Sequence, residues 1–321
     1  MSWIALVLTL LLEQVRALPA SNPVYAGAAA WSDRVARSLN AGKARHGVYG
    51  FLLVVGVGVG LTALVFELAR SWNWLAALAV DVFVLFFALG FRQFSHPTTV
   101  IQAALEQGEI EEARRVFAAW RRNIDPQFDP TELSEGEIAR QSMEFGLLAA
   151  HRHVFGVLFW FLLLPGPSGA VLYRLSEYLA RHWNRPAAAA DAGFSPDQFG
   201  LFAQKAYAWI DWLPARLTAV GFAIVGDFEG AAYCWRNTTV SSKPSAVSDR
   251  VVILAAASGA MGVRLLSAVD SARYLDPAAQ EGAGLAEPSA ESLRSAVGLA
   301  WRAMILWLVL LLLLTLASAL A

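Results

Sequence analysis

The chain has 321 residues, 57% of them hydrophobic and only 16% charged, with a formal net charge of -1 and a mean hydropathy of +0.47. Soluble domains carry about 25% charged residues, so this balance points to a membrane, and the absence of a basic stripe points away from nucleic acid. A single cysteine, Cys234, excludes an intramolecular disulfide and a cysteine-built zinc site, and leaves a buried inert thiol as its expected state.

Residues 1–46 read as an apolar segment followed by a basic loop. Ser2 to Leu12 ends at Glu13, short of the roughly 20 residues a span needs, and Arg16 follows the run rather than preceding it. A helix packed in the bundle or lying at the interface is expected there, not a cleaved leader. Arg16, Arg34, Arg37, Lys43 and Arg45 outnumber Glu13 and Asp33, an excess that favours the cytoplasm.

Residues 47–91 hold two expected transmembrane helices. In the first, Gly47 to Leu68, the Gly56/Gly60 pair forms a GxxxG spacing that lets another helix approach closely. No strand or lysine accompanies these glycines, so a phosphate loop is not indicated. Ser71-Trp72-Asn73-Trp74 turns the chain, and Leu75 to Phe91 spans back with Asp81 inside it. An intramembrane carboxylate is a functional candidate, but this one lies close enough to the aromatic end for water or headgroups to reach it.

Residues 92–144 read as a small helical cytoplasmic insert. Its segment IQAALEQGEIEEARRVFAAWRR is amphipathic and breaks at Gly108, with Ile110, Ala113, Phe117 and Trp120 on the apolar side. Asp125-Pro126 and Asp129-Pro130 end it, and Ser134 followed by Glu137 reads as a capping box for the next helix.

Residues 145–226 form a central hairpin and a kinked helix. Val154 to Leu164 reaches span length only by taking in His151, Arg152 and His153, which must then face headgroups or a wet cavity. Pro165-Gly166-Pro167 breaks the helix; beyond it Tyr173, Arg174 and Glu177 share a face, with Arg174 and Glu177 able to pair. Arg185 to Pro196 is a linker by composition. In Phe199 to Val225, Pro214 deprives the carbonyl of Ile210 of its helical donor, and Asp211 can pair with Arg216 across the kink or contact a ligand.

Residues 227–302 are polar and glycine-rich except at Val251 to Ala257, and contain a flexible PAAQEGAGLAEPSAE run. Residues 303–321 supply the last span, Met304 to Ala321. Arg302 precedes it and no charge follows, which places the C-terminal tail outside. The expected fold class is all-α: a polytopic integral membrane helix bundle with a small helical cytoplasmic subdomain. No inverted repeat marks a transporter.

Four segments carry a family resemblance: EIARQSMEF, LFWFLLLPGPSGAVLYRLSEYL, IDWLPARLTAVGFAIVGDFEGA and ASGAMGVRLL. They resemble the CobD/CbiB family of cobalamin-biosynthesis membrane proteins and its relative AmpE, a membrane protein linked to β-lactamase induction. The last segment, followed by Tyr274, looks nearer the cobalamin enzymes, because AmpE-type chains tend to lack it. The opening LLEQVRALPASNPV is nearer AmpE. At the mouth of the central helix the family's first glutamate is kept as Glu144, but its Glu-Asn pair is replaced by the run Ala150-His151-Arg152-His153. The family's Asn-Thr-Leu-Asp run is replaced by Ser176-Glu177-Tyr178-Leu179.

The resemblance implies an amide-forming ligase that joins adenosylcobyric acid to aminopropanol or its phosphate, using ATP with Mg²⁺. Glu144, His151, His153 and Glu177 are then the catalytic candidates. Tyr173, Arg174, Asp211, Arg216 and Arg264 are the candidates for holding substrate or phosphate, and no protein metal ligand is assigned. Membrane lipid is the expected surrounding, the corrinoid and amino alcohol are the implied substrates, and a homo-oligomer or other membrane partner is left open. The alternative is a non-catalytic AmpE-type signalling or regulatory protein, in which the same polar groups hold the hairpin together or bind a partner.

Overall fold

Helices are the only extended regular elements among the described residues, where β pairing is limited to the isolated bridges Thr238–Leu275 and Val263–Ala286. The computed structural model describes residues 2–15, 22–40, 43–122, 125, 128–184, 198–239, 243–276 and 282–320. Arg16, the linker expected at Arg185 to Pro196, and the 277–281 part of the proline-containing run lie outside them. Four helical stretches are long and apolar enough to cross a membrane: Ala44–Trp72, Glu135–Leu163, Leu201–Val225 and Ala290–Ala317. The chain is therefore all-α with the make-up of a membrane helix bundle.

Contacts divide the chain into two units. The first comprises Met1–Gly90, Arg152–Pro214 and Pro244–Ala246; the second comprises Phe91–His151, Ala215–Lys243 and Val247–Ala321.

In the first unit α1 (Ser2–Val15) packs on α4 (Trp74–Ala88). The long α3 (Ala44–Trp72) receives α2 (Pro23–Leu39), α4 and α9 (Ser168–His182). Their common core joins Val35, Phe51, Val54, Val55, Leu179 and Ala203. Asn73 ends α3 and caps α4, accepting the amide of Ala76 at 2.7 Å. α4 has only 15 residues, about 22 Å at 1.5 Å per residue, so by itself it falls short of the roughly 30 Å span expected for it. Asp81 within it is 3% exposed, so water does not reach it as the sequence suggested.

The glycines of α3 also act differently from the expectation. A Cβ on Gly56 or Gly60 would meet nothing, whereas one on Gly58 would strike the Leu175 side chain of α9. The close approach is made by the middle glycine, and the GxxxG pair faces outward.

The central hairpin pairs α8 (Gly156–Leu163) with α9. Gly166 turns the chain at φ +59°, a conformation that favours glycine, between the two prolines. Gly169 then rests directly against the Trp160 carbonyl, and Gly156 against the Tyr173 ring.

In the second unit α5 (Phe91–Glu106) and α6 (Ile110–Arg122) are separated at Gly108, which sits at φ +75°. Both pack on α7 (Glu135–Ala150), and α14 (Ala290–Leu320) packs on α5 and α7. Ala113 and Phe117 are buried as the amphipathic pattern requires, and Trp120 meets Phe145 edge-on. Ser134 caps α7 by accepting the amide of Glu137 at 3.3 Å.

The most enclosed element is α12 (Ala246–Met261), whose residues from Val251 to Ala260 are all buried. Its small side chains let α11 (Phe228–Arg236) approach until Gly259 lies against the backbone of Gly230. α14 begins 14 residues before the expected start of the last span, because Ser289 and Ser292 cap it reciprocally.

Candidate functional site

α7 does not stop at Ala150. It runs through a single π turn, His151–Phe155, into α8. π turns inside α-helices frequently fall at functional sites, and this one falls on the His-Arg-His run. Pro214 interrupts the other long central helix, α10 (Leu201–Val225). The carbonyl of Ile210 that proline leaves unpaired accepts the indole N–H of Trp160 at 3.1 Å.

Two buried polar networks follow from the helical spacing. In the first unit Tyr173, Arg174, Glu177 and Arg181 line one face of α9. Glu177 is 1% exposed and receives Arg174 Nη1 at 3.2 Å and Arg181 Nη2 at 2.9 Å. Tyr173, fully buried, donates to Asp211 at 2.7 Å and lies 3.1 Å from the Tyr207 hydroxyl. His153 sits among the guanidiniums of Arg152, Arg174 and Arg181. Just beyond, His182 meets Asp33 at 2.6 Å. Three cations around one buried carboxylate leave donor capacity for a further anion.

In the second unit Glu137, Arg140, Gln141 and Glu144 share a face of α7. Arg140 reaches Glu137 and Glu144, each at 3.0 Å, and the Leu265 carbonyl at 3.0 Å. Arg250 of α12 bridges Glu144 at 2.7 Å and Asp270 at 3.0 Å. Asp270 opens the short α13 (Ala268–Tyr274), where the Ser267 hydroxyl also donates to it at 2.9 Å. Burial alone would raise the Asp270 carboxyl, but the hydrogen bonds from Arg250 and Ser267 hold it below the usual carboxylate range. Two turns along α7, His151 is 1% exposed with Nδ1 at 2.8 Å from Thr218 of α10. Arg216, two residues before Thr218, pairs with Asp249 at 2.5 Å.

The candidates from sequence thus divide. Tyr173, Arg174, Glu177, Asp211 and His153 belong to the first unit; Glu144, His151, Arg216 and Arg264 belong to the second. The printed partners of the two residues that flank Pro214 lie on other helices: Asp211 accepts the Tyr173 hydroxyl, and Arg216 pairs with Asp249. Arg264 is paired with Glu287 at 2.7 Å at an exposed rim.

No group of three histidine, cysteine or acidic residues able to hold a metal ion occurs among the described residues. Glu144 and Asp270 are both engaged by the same Arg250 nitrogen. This donor set suits a guanidinium rather than a resident divalent cation.

The family described as CobD/Cbib protein matches residues 2–300, a stretch that includes every side chain of both networks. The chain belongs to the CobD/CbiB family. Among relatives, "Cobalamin biosynthesis protein CobD" of Stutzerimonas stutzeri is 32% identical over 286 residues, covering 88% of this chain and 87% of that protein. The protein of the same name from Chromobacterium violaceum is 33% identical over 195 residues, covering 60% of this chain and 56% of its own length. No solved structure matches.

Within this CobD/CbiB chain, sequence reasoning passed over Arg140, Arg181, Tyr207, Asp249, Arg250 and Asp270. Three of them carried a readable signal: Arg140 lies four residues before Glu144, Arg181 four after Glu177, and Tyr207 four before Asp211. Arg250 meets Glu144 across 106 positions, and no local spacing announces it.

Proposed function

We propose that this chain performs the amide-forming step implied by its family resemblance, joining adenosylcobyric acid to aminopropanol or its phosphate with ATP. The observation that carries this reading is the extent of the family match. It runs through both buried networks and the SGAMGVRLL segment that AmpE-type chains tend to lack.

The chemistry activates a carboxylate by transfer of a phosphoryl or nucleotidyl group from ATP. The amine then attacks the acyl carbon, the C–N bond forms, the phosphate leaves and the amine gives up a proton. ATP and its Mg²⁺ enter as substrate. We assign the reaction to the second unit, where Glu144 is held by Arg140 and Arg250, and His151 is oriented by Thr218. His151 is the candidate base. Arg216 and Arg250 supply positive charge for the phosphates, as phosphoryl transfer demands. In the first unit the Arg174–Glu177–Arg181 cluster, with Tyr173, His153 and Asp211 around it, is read as a separate site able to hold an anionic group. We further propose an inner-membrane location with residues 92–144 on the cytoplasmic side, in keeping with the basic N-terminal loop.

The test is complementation of a bacterial strain lacking its cobinamide amide synthase, grown where corrinoid synthesis is required. Rescue is expected, with loss on Glu144→Ala and strong reduction on Arg174→Ala. Absence of rescue despite normal membrane expression would overturn the enzyme reading. A change in β-lactamase induction on deletion would then favour the AmpE-type role.

A further inference from the structure

The first unit gathers more positive charge than its carboxylates balance. Arg152, Arg174 and Arg181 surround Glu177, which is 1% exposed, and His153 lies among the same guanidiniums. The Tyr207 hydroxyl is within electrostatic reach of Arg152, Glu177 and Asp211 together, so Asp211 is the second carboxylate of the group. Three guanidiniums against two carboxylates leave one positive charge in excess. Arg174 and Arg181 are committed to Glu177, at 3.2 and 2.9 Å. Arg152 is only partly exposed, yet its side chain makes no hydrogen bond or ion pair with a described residue. A guanidinium carries five N–H donors, and withdrawing them from water without an acceptor is costly. The group has room in its chemistry for one more anion.

The surroundings of the cluster say which anion. α2 lies alongside α9, because Tyr25 hydrogen-bonds with Arg174 and Asp33 meets His182 at 2.6 Å. The steps from Tyr25 to Asp33 and from Arg174 to His182 are equal, about 12 Å of helix at 1.5 Å per residue, so both contacts hold in one register. Tyr178 stacks on the His182 ring at the same end. The outer face of α2 exposes Val24, Trp31 and Arg34; Arg37 is exposed one turn on, and Lys43 and Arg45 follow at the start of α3. Tryptophan and basic side chains flanking an apolar span sit at headgroup level, where the abundant anions are lipid phosphates. A guanidinium matches a phosphate through paired N–H bonds.

We propose that the first unit binds the phosphate of an anionic phospholipid beside α2 and α9, with Arg152 as its principal donor and Arg174, Arg181 and His153 completing the cradle. This rests on the reading of the cluster as an anion site and is independent of the amide-forming reaction. Glu177 then acts as the floor, holding two guanidiniums together for the phosphate. The lipid in turn ties the π turn that carries Arg152 to α9.

The full-length protein, stripped of lipid in detergent, is titrated with phosphatidylglycerol, phosphatidylcholine or inorganic phosphate while its melting temperature is followed. Native mass spectrometry reads the lipid that stays bound. Phosphatidylglycerol is expected to raise the melting temperature and to be retained. Phosphatidylcholine, whose choline cation offsets its phosphate, should do neither, and inorganic phosphate should not raise the melting temperature. Arg152→Gln should raise the phosphatidylglycerol concentration required by about ten-fold or more. The lipid-free variant should melt like wild type, because Arg152 has no internal bond to lose. Arg152→Lys should recover part of the response, since it keeps the charge but not the fork. Arg37→Gln removes an equal charge from the exposed side of α2 and should leave the response intact. Equal stabilisation by phosphatidylcholine, an undiminished response in Arg152→Gln, or an equal loss in Arg37→Gln would overturn the proposal. Inorganic phosphate matching the lipid would overturn the lipid and keep the anion site, whereas no response to any of the three would remove both.

Discussion

Trp160 and Pro214 show how one residue's defect is repaired by another. The proline removes the donor for the Ile210 carbonyl, and the Trp160 indole replaces it from a different helix. Trp160→Phe should cost about 1 kcal/mol of stability, the low end of the penalty for stranding a polar group, because this bond is only partly buried. In a Pro214→Ala background the helix regains its own donor, so the same substitution should cost less, and thermal unfolding of the four proteins gives the coupling directly. An equal cost in both backgrounds would assign the effect to lost ring packing. The sequence exposed the orphan carbonyl but not its partner, since 50 positions separate Trp160 from Ile210. Asp270 makes a second residue-scale case, this time through pH. Its carboxyl is held below its ordinary value in the folded chain, so the stability it lends is present above about pH 4 and is lost as pH falls through the lowered value. The melting-temperature gap between wild type and Asp270→Asn should therefore be open near neutral pH and close below about pH 4. A gap that stays constant with pH would mean the Arg250 and Ser267 contacts do not act through charge.

Among elements, sequence reading missed α2, which fills most of the expected basic loop, and also α11, α12 and α13; for α12 the reason is physical. Amphipathic helices announce themselves because one face is polar, whereas α12 is buried on all sides and shows no such contrast. Its Ala-Ala-Ala-Ser-Gly-Ala run looks weakly apolar, yet small size is the property that matters, because it lets Gly259 touch the Gly230 backbone. Gly259→Ala would place a methyl group inside that backbone, and neither strand of main chain can yield without moving its helix. The variant should express poorly or melt well below wild type, and Gly298→Ala, where a Cβ meets nothing, is the matched control. By contrast α6 and the α8–α9 hairpin were readable, since Gly108 and Pro165-Gly166-Pro167 punctuate the chain with local chemistry. The site lies between these extremes. Arg174–Glu177 followed from helical spacing, while the Glu144–Arg250–Asp270 bridge required three elements that only folding assembles.

For the molecule as a whole, the decisive solvent is lipid, and α3 separates its two demands. Leu52, Leu61, Leu64 and Leu68 of α3 are exposed, while Gly58 lies against Leu175 of α9. If the exposed leucines meet hydrocarbon, their requirement is transfer from water, and a charge there opposes insertion by about 2.5–3.5 kcal/mol at mid-span. If Gly58 serves packing, its requirement is close approach, and insertion is indifferent to it. Leu61→Arg should therefore lower the fraction of chain that resists alkaline extraction from membranes. Gly58→Leu should extract like wild type but unfold at lower temperature once in detergent. Retention of both properties in Leu61→Arg would show that this face of α3 meets water or protein instead of lipid. The outward GxxxG pair adds a third arm to the comparison: Gly56→Leu and Gly60→Leu meet open space within the chain, so they should leave both extraction and melting unchanged. A drop in melting temperature for those two alone would mean that another helix covers that face in the membrane.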